Sequence, residues 1–173
     1  MPPLEILHYP DPVLLTVADP VLPHEYGSEL DALIEDMFET MDLAGGVGLA
    51  APQIGISKRL FVMDVRSDPD QPNRQVLINP EIIHFEGEQS GDEGCLSFPG
   101  LFQPVVRQSR VIARANDSKG GMVEFDESAL AARCILHETD HCDGIVFLDR
   151  MTPLKRELAK RRIRRLQRSG EWG

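Results

Sequence analysis

His137 and His141 are four residues apart, the spacing that puts two imidazoles on one face of a helix, about one turn apart. Rings so placed can share one metal ion, and Glu138 beside them can accept a proton from a water at that ion. The segment His137-Glu138-Thr139-Asp140-His141 therefore points to metal-dependent hydrolysis if it is helical. Without a metal, the same residues are two solvated histidines and ordinary charges on a surface helix. A catalytic site also needs a third protein ligand and an open position. The extended protease pattern H-E-x-x-H-x-x-G-x-x-H does not supply one, because Gly144 fits the glycine but Phe147 stands where the last histidine belongs.

Cys95, Cys134 and Cys142 are the remaining soft donors. Cys142 lies about 140° around the helix from His137 and points elsewhere. Cys134 is on the right face, but it is about 10.5 Å along the axis from His141. Donors sharing one ion at bond lengths of ~2.0–2.3 Å sit closer than that, so Cys134 is expected to pack beneath the site. Cys95, in Glu93-Gly94-Cys95-Leu96-Ser97, is then a ligand by elimination. An odd, sparse cysteine count is no disulfide framework and fits a reducing compartment.

Gly46-Val47-Gly48-Leu49-Ala50-Ala51-Pro52-Gln53 is not a dinucleotide fingerprint, since no strand precedes it and no third glycine is correctly placed. One reading is a helix terminator followed by a loop. The other is a wall that a substrate backbone passes closely, with the Gln53 amide as a polarising donor.

Elements must hold these residues in place. Leu30, Leu33, Ile34, Met37, Phe38 and Met41 recur at helical spacing after Ser28, a candidate cap with Asp31 three residues on. They predict a helix over about 28–43. Residues 59–65 and 75–78 read as strands joined by a turn rich in Pro and Asp. Residues 105–115 and 122–125 read as a second pair around Lys119-Gly120-Gly121. A second helix is expected over about 127–143, stopping at Gly144, and a third after Pro153. Strands cluster in the middle without alternating with helices, so the fold class is α+β. The expectation is mostly antiparallel strands around a central helix carrying His137-Glu138-Thr139-Asp140-His141. Residues 1–173 form one domain, with a basic C-terminal helix over about 153–168.

The 42% hydrophobic and 27% charged content suits a soluble globular chain. No apolar run approaches the roughly 18–20 residues needed to span a bilayer, so no membrane span or membrane partner is expected. Met1-Pro2-Pro3-Leu4-Glu5 lacks the features of a targeting segment, making the cytoplasm the default location. From Arg150 onward nine Lys/Arg face two acids, a net +7, whereas the preceding 149 residues carry nine bases against 26 acids, a net −17. The basic tail is either a solvated helix face or a handle for a polyanion such as RNA.

Taken in order, the three segments resemble the signature motifs of peptide deformylases: G-x-G-L-A-A-x-Q, E-G-C-L-S and H-E-x-D-H. The resemblance extends over nearly the whole chain. It implies removal of the formyl group from the N-terminal N-formylmethionine of nascent polypeptides, with release of formate. By position, Cys95, His137 and His141 match the metal ligands, and Glu138 matches the general base and acid. Gln53 and the Leu96 N–H match the oxyanion donors. Glu93 matches a structural carboxylate paired with an arginine at the position of Arg107. Gly46, Val47, Gly48 and Cys134, with Leu96 and His137, fall where the substrate and its methionine are held. The family implies Fe2+ in the cell, with Zn2+, Ni2+ or Co2+ as replacements, and a C-terminal helix that docks on ribosomal RNA. Two residues depart from the pattern, Leu136 where Gln is usual and Cys142 where Leu is usual. The rival readings are a zinc endoprotease of the HExxH type and a ribosome-binding protein with a structural metal.

Overall fold

Every residue of the strand Leu60–Asp64 is buried, and this one strand organises the fold. In chain order the elements are α1 (Ser28–Leu43), β1 (Gly48–Ala50), β2 (Leu60–Asp64), β3 (Arg74–Glu86) and β4 (Gln89–Cys95), followed by β5 (Phe98–Arg107), β6 (Arg110–Asn116), β7 (Met122–Ser128), α2 (Ala129–Cys142) and α3 (Pro153–Ser169). The computed structural model describes residues 3–173; the N-terminal expectation falls partly on Met1 and Pro2, outside the described residues. Successive side chains of a strand face opposite ways. Leu60 and Val62 pack with Leu30, Ile34, Met37, Phe38 and Met41 of α1. Phe61 and Met63 pack with Ala132, Cys134, Ile135 and Cys142 of α2. Burial on both faces explains why β2 reads as a continuous apolar run rather than an alternating one.

The sheet runs β1-β2-β3-β6-β7 and every pairing is antiparallel, with Gly48 opposite Met63 and Leu60 opposite Ile78. A separate hairpin, β4-β5, covers the other side of α2. Helix α2 is thus central to an α+β fold, and all of 132–142 except Leu136 is buried. A third cluster joins Phe98, Leu101 and Val105 of β5 to Phe147, Leu148, Ala159 and Ile163.

Several boundaries differ from expectation for identifiable reasons. Strand β3 continues to Glu86 through Pro80, because a register shift between Ile78 and Glu81 removes the need for its missing N–H. The expected strand over 105–115 is two: Val105–Arg107 ends β5, and β6 begins at Arg110. The reversal at Gln108-Ser109 uses neither Gly nor Pro, so the sequence marks no break there. Hairpin strand β4 was not expected at all, its residues being mostly polar or glycine. Gly27, not Ser28, occupies the cap position of α1, and Gly48–Ala50 is an edge strand rather than a loop.

Helix α3 opens with Thr152, whose hydroxyl accepts from Lys155 N, and Pro153 at the first helical position. Only Ala159 and Ile163 of α3 are buried, which leaves its basic side chains outward. Beyond it, the Trp172 indole N–H donates to Tyr9 O at 2.8 Å, and its ring meets Phe98 edge-on at 6.0 Å. Among the described residues, no helix is long and apolar enough to cross a membrane.

Gly144 ends α2 where expected, at φ +71°, and a Cβ there would lie 2.8 Å from the Thr16 carbonyl carbon and 3.0 Å from that of Leu15. Both the left-handed conformation and the backbone contact oppose a side chain. Gly144→Ala should cost at least ~2 kcal/mol and lower Tm by roughly 4–8 °C, measurable by calorimetry.

Candidate metal centre

Cys95 ends β4 and the two histidines come from α2, so the hairpin must lie against the helix to bring them together. The donor atoms of Cys95, His137 and His141 all lie within 4.8 Å of one another, and Cys95 Sγ is 3.3 Å from His141 Nε2. Tetrahedral coordination at ~2.0–2.3 Å requires ligand-to-ligand edges of about 3.3–3.6 Å. One thiol and two imidazoles at such spacing fit a single divalent cation. Burial, and the neighbouring His137 and Arg107 charges, push His141 well below the usual imidazole range, favouring the neutral form a ligand requires. Cys134 is not among the three donors: its thiol faces Val47 O at 3.7 Å. Cys142 lies within the apolar cluster on the sheet side, and burial pushes its thiol up to about 12.

Glu93, two residues before Cys95, is the hub behind the ligands. Its Oε2 is 2.6 Å from His137 Nδ1. A carboxylate only accepts, so Nδ1 carries a proton, and a metal at the donor cluster would take Nε2, the ring nitrogen that remains. The Arg107 guanidinium grips both oxygens, Nε to Oε1 at 3.0 Å and NH2 to Oε2 at 2.7 Å. Arg133 NH1 adds 2.9 Å to Oε1 and donates to Val105 O at 3.0 Å. Burial opposes ionisation, but the His137 and Arg107 hydrogen bonds outweigh it and hold the Glu93 carboxyl well below the usual carboxylate range. Arg107 also donates to Asp140 Oδ2 at 2.7 Å.

Glu138 faces the ligands from the same helix, its Oε1 4.0 Å from His137 Nε2. Its Oε2 is buried without a hydrogen-bond partner among the described residues, and burial pushes the carboxyl up to about 7. A nearby cation would pull that value down again. Gly48 permits this arrangement, since a Cβ there would sit 2.8 Å from both Glu138 Oε1 and Cys134 Sγ. The Gln53 amide nitrogen lies 3.2 Å from Ser97 Oγ and 3.5 Å from Cys95 Sγ, while its oxygen accepts from Ala50 N at 2.9 Å. That carbonyl bond fixes the amide so that its N–H2 faces the cluster.

A cavity of about 490 Å³ opens onto these groups. Gly46, Val47, Gly48, Leu96, Cys134 and His137, the residues expected on the substrate side, are among those that line it, and so is Glu138. Phe98, Phe102, Leu130 and Arg133 also line it and were not expected. Leu130 and Arg133 precede His137 by seven and four residues on its own helical face, so the helix period offered a signal for both. Phe98 and Phe102 carried none, because the first seven residues of β5 were not recognised as strand. Leu136 instead borders a separate cleft behind the helix with Arg107, Asp140 and Arg150, away from the ligands.

The polypeptide deformylase family model matches residues 3–157. A peptide deformylase of Acidobacterium capsulatum is 52% identical over 167 residues, covering 96% of this chain and 97% of its own. Among solved structures, a peptide deformylase from Legionella pneumophila aligns with a TM-score of 0.85 at 44% identity, covering 95% of this chain and 96% of that one. A plant peptide deformylase aligns with a TM-score of 0.90 at 35% identity, covering 99% and 92%.

Replacing Glu93 by Gln leaves Arg107 and Arg133 buried without their shared countercharge. The expected loss of unfolding free energy is ~3–5 kcal/mol at neutral pH. A depressed carboxyl pKa stabilises above the unfolded value of about 4.3 and loses that contribution as pH falls toward the folded value. Urea titrations should therefore show the gap between wild type and Glu93→Gln narrowing below about pH 4.

Proposed function

This chain belongs to the polypeptide deformylase family, and from that premise we propose that it removes the formyl group from N-formylmethionine at the start of nascent polypeptides. The observation that carries the reading is the buried Glu138, unpartnered at Oε2, beside a Cys95/His137/His141 donor set at the mouth of an apolar cavity. The endoprotease and structural-metal readings lose their support with the family assignment. The position a metzincin fills with histidine is here Phe147, buried with its ring 6.0 Å from that of His137.

Cys95, His137 and His141 would hold a divalent ion, which supplies Lewis-acid polarisation of the formyl carbonyl and a more acidic water. Glu138 takes the proton of the attacking water and later returns one to the leaving amine. Burial raises its proton affinity and a bound cation would lower it again, so the two effects oppose each other at the one carboxyl that must do both. Gln53 Nε2 and the Leu96 N–H donate to the charge growing on the formyl oxygen, a contribution typically of about 10²–10³ in rate for one donor. Val47, Leu96 and Cys134 hold the methionine side chain, while Gly46 and Gly48 let the substrate backbone pass close. Glu93 and Arg107 keep His137 oriented and need not touch substrate.

Mixed thiolate and imidazole ligation suits ferrous iron as well as zinc. The proposed ion is Fe2+ in a cytoplasmic enzyme, with Zn2+, Ni2+ or Co2+ as substitutes. Anaerobic purification, elemental analysis and a formate-release assay on each metal form decide between them. In that assay Glu138→Gln should abolish turnover of formyl-methionyl peptides while retaining its bound metal; a fully active variant overturns the mechanism.

The outward basic face of α3 supports ribosomal RNA contact near the nascent chain. Because Ala159 and Ile163 pack into the body, deleting the helix would also damage the fold. Replacing the exposed Arg162, Arg165 and Arg168 by Gln is the cleaner test. Cosedimentation with ribosomes should weaken and its salt dependence should become shallower, with deformylation of free peptides unchanged.

A further inference from the structure

Behind the metal ligands, a chain of charged groups runs from the buried His137 ring to the protein surface. His137 Nδ1 meets Glu93 Oε2 at 2.6 Å, and Arg107 holds Glu93 by two bonds. The remaining Arg107 nitrogen, NH1, meets Asp140 Oδ2 at 2.7 Å. Asp140 is then grasped from outside by Arg150, whose Nε reaches Oδ2 at 3.0 Å and NH2 reaches Oδ1 at 2.8 Å. Side-chain exposure rises along this path from 4% at Glu93 and Arg107 to 11% at Asp140 and 45% at Arg150. Arg150 lies in the short turn after α2, just ahead of the basic helix.

We infer that Arg150 is a positioning residue for the metal ligand His137, acting through Asp140, Arg107 and Glu93. The inference rests on the reading of His137 as a ligand. Among the described residues, Asp140 is the carboxylate hydrogen-bonded to Arg107 NH1, and both Asp140 oxygens are engaged by Arg150. A bidentate guanidinium fixes the plane of a carboxylate as well as its position. Asp140 so fixed sets the Arg107 fork, the fork sets the rotation of Glu93, and Glu93 selects the ring orientation that aims His137 Nε2 at the ion. Partners that touch a ligand directly typically change metal affinity or activity by 10–100-fold. Three groups stand between Arg150 and the ring, so its effect is smaller but of the same kind. Lysine cannot substitute fully, since a single ammonium does not grip both oxygens in one plane.

The test measures zinc release from the loaded protein to excess chelator, well below its melting temperature. Arg150→Met should speed release at least about threefold, and Arg150→Lys should fall between it and wild type. Arg59→Met serves as the control. It removes another ion pair from the end of α2, Arg59 with Asp143 at 2.8 Å and Cys142 O at 2.9 Å, outside the path, and should leave release unchanged. In an Asp140→Asn background, Arg150→Met should add nothing further. Equal release from the Arg150→Met and Arg59→Met proteins overturns the inference, as does an undiminished Arg150 effect without Asp140. His137→Ala tests the underlying ligand reading separately: if it still binds zinc one-to-one with wild-type affinity, that reading fails whatever Arg150 does.

Discussion

A carboxylate removed from water must recover the hydrogen bonds it gives up. Glu93 does so completely, with two bonds from Arg107, one from Arg133 and one from His137. These partners come from β5 and α2, so one side chain of β4 fastens the hairpin to the central helix. An apolar interface of equal volume would be at least as stabilising. It could not, however, choose which imidazole nitrogen carries the proton or the direction in which the ring points. The hairpin also delivers Cys95, so the same buried charge that locks β4 onto α2 sets the distance between the thiol and the histidines. The metal centre and the packing of the second sheet are one arrangement.

This dual role explains what was legible in the sequence and what was not. Helix α2 was readable because its chemistry obeys a local period: His137 and His141 four apart, and Gly144 at a left-handed stop. Helix α1 was readable from its apolar stripe, and β2 from its unbroken run of apolar residues. Strand β4 was hidden because its inward contacts are made by charge, and a sequence such as Gln89-Ser90-Gly91-Asp92-Glu93-Gly94 has no apolar alternation to detect. The partners of Glu93 sit fourteen, forty and forty-four residues away, and no periodicity links such positions. The Glu93–Arg107 pairing was expected only by resemblance, whereas Arg133, Asp140 and Arg150 were not singled out. The two aromatic walls of the cavity, Phe98 and Phe102, were lost with the strand that carries them.

Charge is divided in space much as it is along the chain. The interior pairs its ions tightly, and the acidic surplus lies over the body. Helix α3 is joined to that body by a hydroxyl cap, two buried side chains and the indole beyond its end. Its cations therefore remain outward while its axis is held. A polyanion engaging that face meets a shaped row of charges rather than a flexible tail, and the row begins at Lys155, five residues after Arg150.

Trp172 is the single tryptophan of the chain. Its ring touches Phe98, Phe98 meets Phe147 edge-on at 4.9 Å, and Phe147 lies 6.0 Å from His137. The one indole chromophore thus reports from the far end of a continuous aromatic row whose other end is a candidate ligand. Its emission is an intrinsic optical gauge of the seating of the C-terminus, placed one ring away from the wall that Phe98 gives the cavity.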